Sequence, residues 1–168
     1  MYSKTAHINI IYEIAKDLCA AGHNGKYLEI GVQHARTFNK VGPLFKHAHA
    51  VDVNEKMRKC VNFDADVNVC TSDDYFKNDK NKYDLIFIDG LHEYSQVQKD
   101  FDNAFNSLKR TGMIILHDTF PPGEKCQSEH YCWDAHRIRE YLDDCLEIVN
   151  IEVLTLPFYY GLTIVRNV

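Results

Sequence analysis

A chain of 168 residues suits one domain over residues 1–168, and a chain of this size buries roughly 70% of its unfolded surface. Hydrophobic residues make up 45% and charged residues 26%, an ordinary globular balance. The formal net charge of -5, without a basic run, argues against nucleic acid as a partner, and no apolar stretch approaches the ~20 residues of a membrane span.

The N-terminal run MYSKTAHINIIYEIAKDL is broken by charges, unlike a secretory leader. Six cysteines (Cys19, Cys60, Cys70, Cys126, Cys132 and Cys145) are scattered without CxxC spacing, so free thiols in a reducing, cytoplasmic setting are expected. Residues 5–21 read as a helix, with Ile11, Ile14, Ala15 and Leu18 on one stripe and Gly22 as its stop. KYLEI (26–30) is a short strand broken by Gly31. HAVDV (49–53) is a second, ending near Asp52 and followed by a basic helix over 54–61. DVNVC (66–70) is a third, after which Ser72 is placed to cap a short helix over DDYFKN.

YDLIFID (83–89) is apolar on both faces in its middle, as a strand covered on both sides reads. Tyr94, Val97, Phe101, Ala104, Phe105 and Leu108 follow helical spacing, predicting a helix over 93–110 with Lys109 and Arg110 in the last turn and Gly112 past its end. MIILHD (113–118) is a fifth strand. A loop over 119–132 and a helix over roughly 133–143 precede two late strands, in LEIVNIEVLTL and YYGLTIVRN. Strands alternating with helices imply βαβ units and an α/β, mostly parallel sheet, which the late strands close as an antiparallel hairpin. Ligands of such sheets bind outside the carboxyl ends of the strands, at the topological switch point. Four acids fall at strand ends: Glu29, Asp52, Asp89 and Asp118. Together they suggest a shared rim.

KYLEIGVQHARTF resembles the first motif of class I S-adenosylmethionine-dependent methyltransferases, and AVDVN their acidic second-strand motif. YDLIFIDGLHEYSQVQKDFDNAFNSLKRTGMIILHDTFPP resembles a small-domain branch that includes the macrocin-type sugar O-methyltransferases. The resemblance covers residues 26–122 well and extends more weakly to YYGLTIVRN; IDGxHxY and LHD are its specific elements. It implies a Rossmann-like, doubly wound, seven-stranded sheet with the seventh strand antiparallel, and S-adenosylmethionine over the ends of strands one and two. Gly31 then lets backbone approach the cofactor's methionine part, Glu29 supports its amino-acid end, Asp52 binds the ribose, and Ser72 and Asp73 read adenine. Asp89 is assigned to the cofactor and also to a metal. The family usually has glycine where Ala35 stands, and often serine where Thr37 stands.

Methyl transfer to a sugar hydroxyl needs positioning, a base and help for the alkoxide. Neighbouring strands lie ~4.8 Å apart, so Asp89 and Asp118 at two strand ends can share a hard divalent ion such as Mg²⁺. By resemblance these two acids hold the metal, with His117 a further candidate ligand, and His92 is the general base. The expected partner is a small-molecule or sugar acceptor. Small cores of this kind often dimerise, so a homodimer is one expected state.

Plainer readings stand beside each of these. Asp89–Gly90 can cap the following helix with His92 exposed in its first turn. Glu29 can bond local amides, Asp52 can be a turn residue, Asp73 can serve the helix dipole, and His117 can be a strand-end histidine with its hydrogen bond satisfied. Cys126, His130 and Cys132 have irregular spacing for zinc. Tyr131, Trp133 and Tyr94 suit an acceptor pocket or lid packing equally. A cofactor-binding protein without turnover, or a metal-dependent hydrolase or hydroxylase on the same scaffold, are the competing functions.

Overall fold

In the computed structural model, which describes residues 6–168, the chain runs α1 (Ala6–Ala20), β1 (Lys26–Ile30), α2 (Arg36–Val41), β2 (His47–Asp52), β3 (Asp66–Val69), α3 (Ser72–Asn78), β4 (Tyr83–Ile88), α4 (Tyr94–Asn106), β5 (Leu108–His117), α5 (Ile138–Leu146), β6 (Ile151–Leu156) and β7 (Leu162–Asn167). Residue 5, the first of the predicted N-terminal helix, lies outside the described residues. The seven strands form one sheet in the order β3-β2-β1-β4-β5-β7-β6. Strands β1 to β5 are mutually parallel, and β7 runs antiparallel to both β5 and β6. The order reverses between β1 and β4, which makes that junction the switch point.

All six residues of β4 are buried, as expected of a strand with helices on both faces. Alternation divides its side chains between two cores. Ile86 and Ile88 pack with Val97, Phe101, Ile138 and Leu142 of α4 and α5, whereas Leu85 and Phe87 pack with Ile11, Ala15 and Phe38 of α1 and α2. The sheet is therefore doubly wound, and its strand ends are free to form a rim.

Several boundaries differ from the sequence reading, each for a local reason. The predicted basic helix over 54–61 is a 3₁₀ segment, Glu55–Lys59, capped by Asn54 accepting from the Lys56 amide at 3.0 Å. Thr71, not Ser72, caps α3, its hydroxyl accepting from the Asp74 amide at 3.1 Å. The predicted helix over 93–110 stops at Asn106, and Lys109 and Arg110 belong to β5. Burial of Leu108 opposite Tyr83 and the pull of Asp84 on Lys109 hold that segment extended. Gly112 is then a strand residue: a Cβ there would stand 2.8 Å from Leu108 Cδ1 and 2.9 Å from the Tyr83 carbonyl. No helix among the described residues is long and apolar enough to cross a membrane.

Candidate active site

Register levels the strand ends. Ile30 stands opposite both Val51 and Ile88, and Ile88 opposite Leu116, so Gly31, Asp52, Asp89 and His117 emerge at one height. Gly31 has φ 84, and a Cβ on it would lie 2.0 Å from the Asp89 carbonyl oxygen. The glycine is thus required first by the closeness of two chain segments at the switch point. A cleft of about 940 Å³ opens over this rim, and its lining includes Asp52, Asp73, Tyr131 and Tyr160.

On one side of the cleft, Asp52 accepts from the Gln33 amide and the Asn54 amide, each at 2.8 Å. It therefore serves as a turn residue and also faces the cleft. Glu29 is buried, with Oε2 accepting from the Tyr27 hydroxyl at 2.5 Å. Burial pushes its carboxyl well above the ordinary value; the Tyr27 bond pulls the other way, and the Asp89 charge adds to the rise. Ser72 and Asp73 lie at the start of α3, where the Gln96 amide nitrogen reaches Ser72 Oγ at 3.3 Å, Asp73 Oδ1 at 3.1 Å and Asp100 Oδ1 at 3.0 Å.

On the other side is a compact acid–histidine cluster. His92 Nε2 lies 2.9 Å from Asp118 Oδ2 and 3.6 Å from Asp89 Oδ1. His117 Nδ1 lies 3.2 Å from Asp89 Oδ1 and 3.3 Å from Asp118 Oδ2. Asp118 has φ 60, a left-handed conformation that aspartate tolerates, and this turns a residue one step beyond the rim back into it. Burial works against charge on every member, but the pairing prevails. The two carboxylates hold both imidazoles up to about 10, and the histidines hold Asp118 down to about 2 and Asp89 lower still. Ligand atoms of Asp89, His92 and Asp118 all lie within 4.8 Å of one another, a spacing a divalent ion can span. The Nε2 atom of His117 is buried without a hydrogen-bond partner among the described residues, so that histidine is not the satisfied strand-end residue of the plainer reading.

Residues 15–119 match a family described as a methyltransferase domain, well over half of the chain. The chain belongs to this methyltransferase family. Among curated proteins no sequence matches. Among solved structures, the domain is similar to an O-methyltransferase from Bacillus cereus in complex with S-adenosylhomocysteine, at 13% identity and TM-score 0.71, covering 95% of this chain and 81% of that one. It is similar to the O-methyltransferase TomG from Streptomyces achromogenes in complex with S-adenosylmethionine, at 10% identity and TM-score 0.70, covering 93% and 78%. It is also similar to a methyltransferase from Podospora anserina bound to S-adenosylhomocysteine, at 13% identity and TM-score 0.70, covering 97% and 88%. At these identities the likeness is one of fold.

Every site residue read from the sequence of this methyltransferase domain (Glu29, Gly31, Asp52, Ser72, Asp73, Asp89, His92, His117 and Asp118) lines the one cleft. Of the proposed aromatic wall only Tyr131 does; Tyr94 lies instead under the Arg137 guanidinium, 4.6 Å from its ring centre. Among the described residues Cys126, His130 and Cys132 form no group at metal-ligand spacing, and the Cys132 thiol donates to Asp118 Oδ1 at 3.3 Å. The sequence reading missed His7, Gln96, Asp100, Tyr159 and Tyr160, all on the cleft wall. Asp100 carried a signal, since it interrupts the apolar stripe of Val97, Phe101 and Ala104. His7 carried none; its ring stacks on Tyr159 at 5.5 Å, and burial with the His117 charge pushes it down to about 4. Tyr159 and Tyr160 have φ 39 and 69, and four of the six described non-glycine residues with positive φ line the cleft, where backbone strain gathers at functional sites.

Proposed function

We propose that this domain is an S-adenosylmethionine-dependent O-methyltransferase acting on a hydroxyl of a sugar or a glycosylated small molecule, with a divalent cation, Mg²⁺ by donor chemistry. The observation that carries the reading is one cleft lined both by the carboxylates assigned to the cofactor and by the acid–histidine cluster. S-Adenosylmethionine supplies a methyl group on a positively charged sulfur, and the cation supplies charge beside the developing alkoxide. The residues fit both groups. Glu29 is a buried acid to which an entering ammonium would bring a counter-charge, and Asp52 retains carboxylate lone pairs for the ribose hydroxyls. Ser72 and Asp73 face the adenine position. Two carboxylates and a neighbouring imidazole suit a hard ion completed by water and acceptor oxygens.

Asp89 and Asp118 would hold the cation, with His117 behind them. The two carboxylates keep His92 protonated near neutral pH, so it must first give up its Nε2 proton; the free Nε2 then takes the hydroxyl proton as the acceptor oxygen attacks, and Tyr131, Tyr159 and Tyr160 line the wall beside the acceptor. The free thiols agree with action in a reducing, cytoplasmic setting. Calorimetry with S-adenosylmethionine and S-adenosylhomocysteine tests the cofactor half, and absence of heat at millimolar cofactor would sink it. Release of S-adenosylhomocysteine over a panel of glycosides with Mg²⁺, lost on chelation, tests the chemistry. His92→Ala should lower turnover by about 10²-fold or more.

A further inference from the structure

The loop that follows β5 makes three contacts from residues 131–134, two to His92 and Tyr94 around the start of α4 and one back to Asp118 at its own beginning. The Tyr131 carbonyl lies 2.6 Å from His92 Nδ1, the Cys132 thiol lies 3.3 Å from Asp118 Oδ1, and Asp134 Oδ1 accepts from the Tyr94 amide at 2.7 Å. A carbonyl only accepts, so Nδ1 of His92 must carry the proton in that contact. The second nitrogen, Nε2, is thereby turned to the carboxylates. Asp118 is divided in the same way: Oδ1 is taken by the thiol, and Oδ2 is left for His92 and His117.

The side chain that ties this loop to α4 is Asp134. Residue 93, the cap position of α4, makes no side-chain capping bond, and Asp134 supplies the missing acceptor from across the fold. Arg137 completes the junction, 3.7 Å from Asp134 Oδ2 and over the Tyr94 ring. The loop itself is internally tied, the Tyr131 and Trp133 amides both donating to the Ser128 carbonyl and the Cys132 amide to the Cys126 carbonyl. Tyr131 is therefore carried as part of a braced unit whose anchor is Asp134.

We infer that Asp134 is a positioning residue: by capping α4 it holds the Tyr131 carbonyl on Nδ1 of His92 and so directs Nε2 at the reacting centre. The role in turnover rests on the methyltransferase reading, but the geometry is tested without cofactor or acceptor. The readout is the His92 Hδ1 proton in ¹⁵N-histidine-labelled protein, assigned by its loss in His92→Gln. In wild-type protein this proton should exchange slowly with water, and fast exchange there would itself overturn the inference; Asp134→Asn, which keeps an acceptor for the Tyr94 amide, should leave the exchange slow. Asp134→Ala should speed its exchange with water by about tenfold or more. Tyr94→Pro removes the same bond from the donor side. Proline is tolerated at the first helical residue, and Glu93 before it is already extended, with φ -72 and ψ 125. It should reproduce the Asp134→Ala result. Wild-type exchange in either folded variant would overturn the inference. Protected Hδ1 in an enzyme that transfers no methyl group would overturn only the functional reading.

Discussion

His92 Nε2 stands 2.9 Å from Asp118 Oδ2 and 3.6 Å from Asp89 Oδ1, so its proton is held by the same two carboxylates that a cation would use. A proton and a cation therefore compete for one set of charges. His92 and His117 are both held up to about 10, so near neutral pH each carries a proton that balances the acids. Cation uptake must release protons, and affinity should rise with pH by up to about tenfold per unit for each proton released. Calorimetry with Mg²⁺ or Mn²⁺ in buffers of different ionisation enthalpy should give buffer-dependent heats. A buffer-independent heat would refute the competition. Saturating cation at about 100 times Kd should add about 2.7 kcal/mol of stability, several degrees in Tm, and Asp118→Asn should abolish the gain.

The same cluster sets the stability profile of the cation-free protein. The imidazole values lie above 6.5, so their contribution is complete below pH 6.5 and is lost as pH rises through about 10. Asp118 lies below 3.8, so its contribution is present above that value and is lost as pH falls through about 2. These are two limbs of one set of ion pairs and are counted once. Thermal melts should show Tm declining from neutral to alkaline pH, with a flatter alkaline limb in His92→Gln. An unchanged slope in that variant would show that His92 is not paired as described.

At the opposite end of β4 the dominant electrostatic pair is Asp84 with Lys109. Asp84 is buried, and both its oxygens are reached by Lys109 Nζ, at 2.9 and 2.8 Å, while Lys26 N donates to Oδ2 at 2.7 Å. Lys109→Met leaves the carboxylate buried with one partner and should cost about 3 kcal/mol in urea unfolding. Asp84→Asn in the same background should recover part of that loss. If Lys109→Met is neutral, the pair does not hold the start of β5.

This pair also explains where the sequence was legible and where it was not. Periodicity located β1, β4 and α4 because burial on two faces or one stripe leaves a pattern in consecutive residues. It carried α4 too far because Leu108 continues the helical spacing, and nothing local says that Lys109 has a buried partner at residue 84. The rim acids were legible because each stands at or beside the end of a strand, and Asp89 and Asp118 also lie in the specific IDGxHxY and LHD motifs. The wall formed by His7, Tyr159 and Tyr160 was not, since it joins the start of α1 to the turn before β7 and exists only once the sheet has formed. The left-handed turn at Asp118 was likewise invisible, yet it decides that His92 and His117 share the same oxygen of Asp118.

Gln96 offers a test of the cofactor side that is separate from the acid–histidine cluster. Its amide nitrogen has two protons and three acceptors, on Ser72, Asp73 and Asp100, so it binds α3 to α4 at the cleft wall. Burial raises the Asp100 carboxyl; the bonds from Ser72 and Gln96 oppose the rise and the Asp73 charge adds to it. Gln96→Ala removes the bridge and should weaken S-adenosylmethionine binding by about tenfold, the equivalent of one hydrogen bond of about 1.4 kcal/mol. Gln96→Glu should be worse at pH 8, because a third carboxylate then faces Asp73 and Asp100. It should recover toward the alanine variant at pH 5, where the added acid takes a proton. Asp100→Asn keeps shape while removing charge, so it should bind more tightly than either. Calorimetric titrations of the three variants at both pH values decide it, and equal affinities at pH 8 and pH 5 for Gln96→Glu would remove the charge argument.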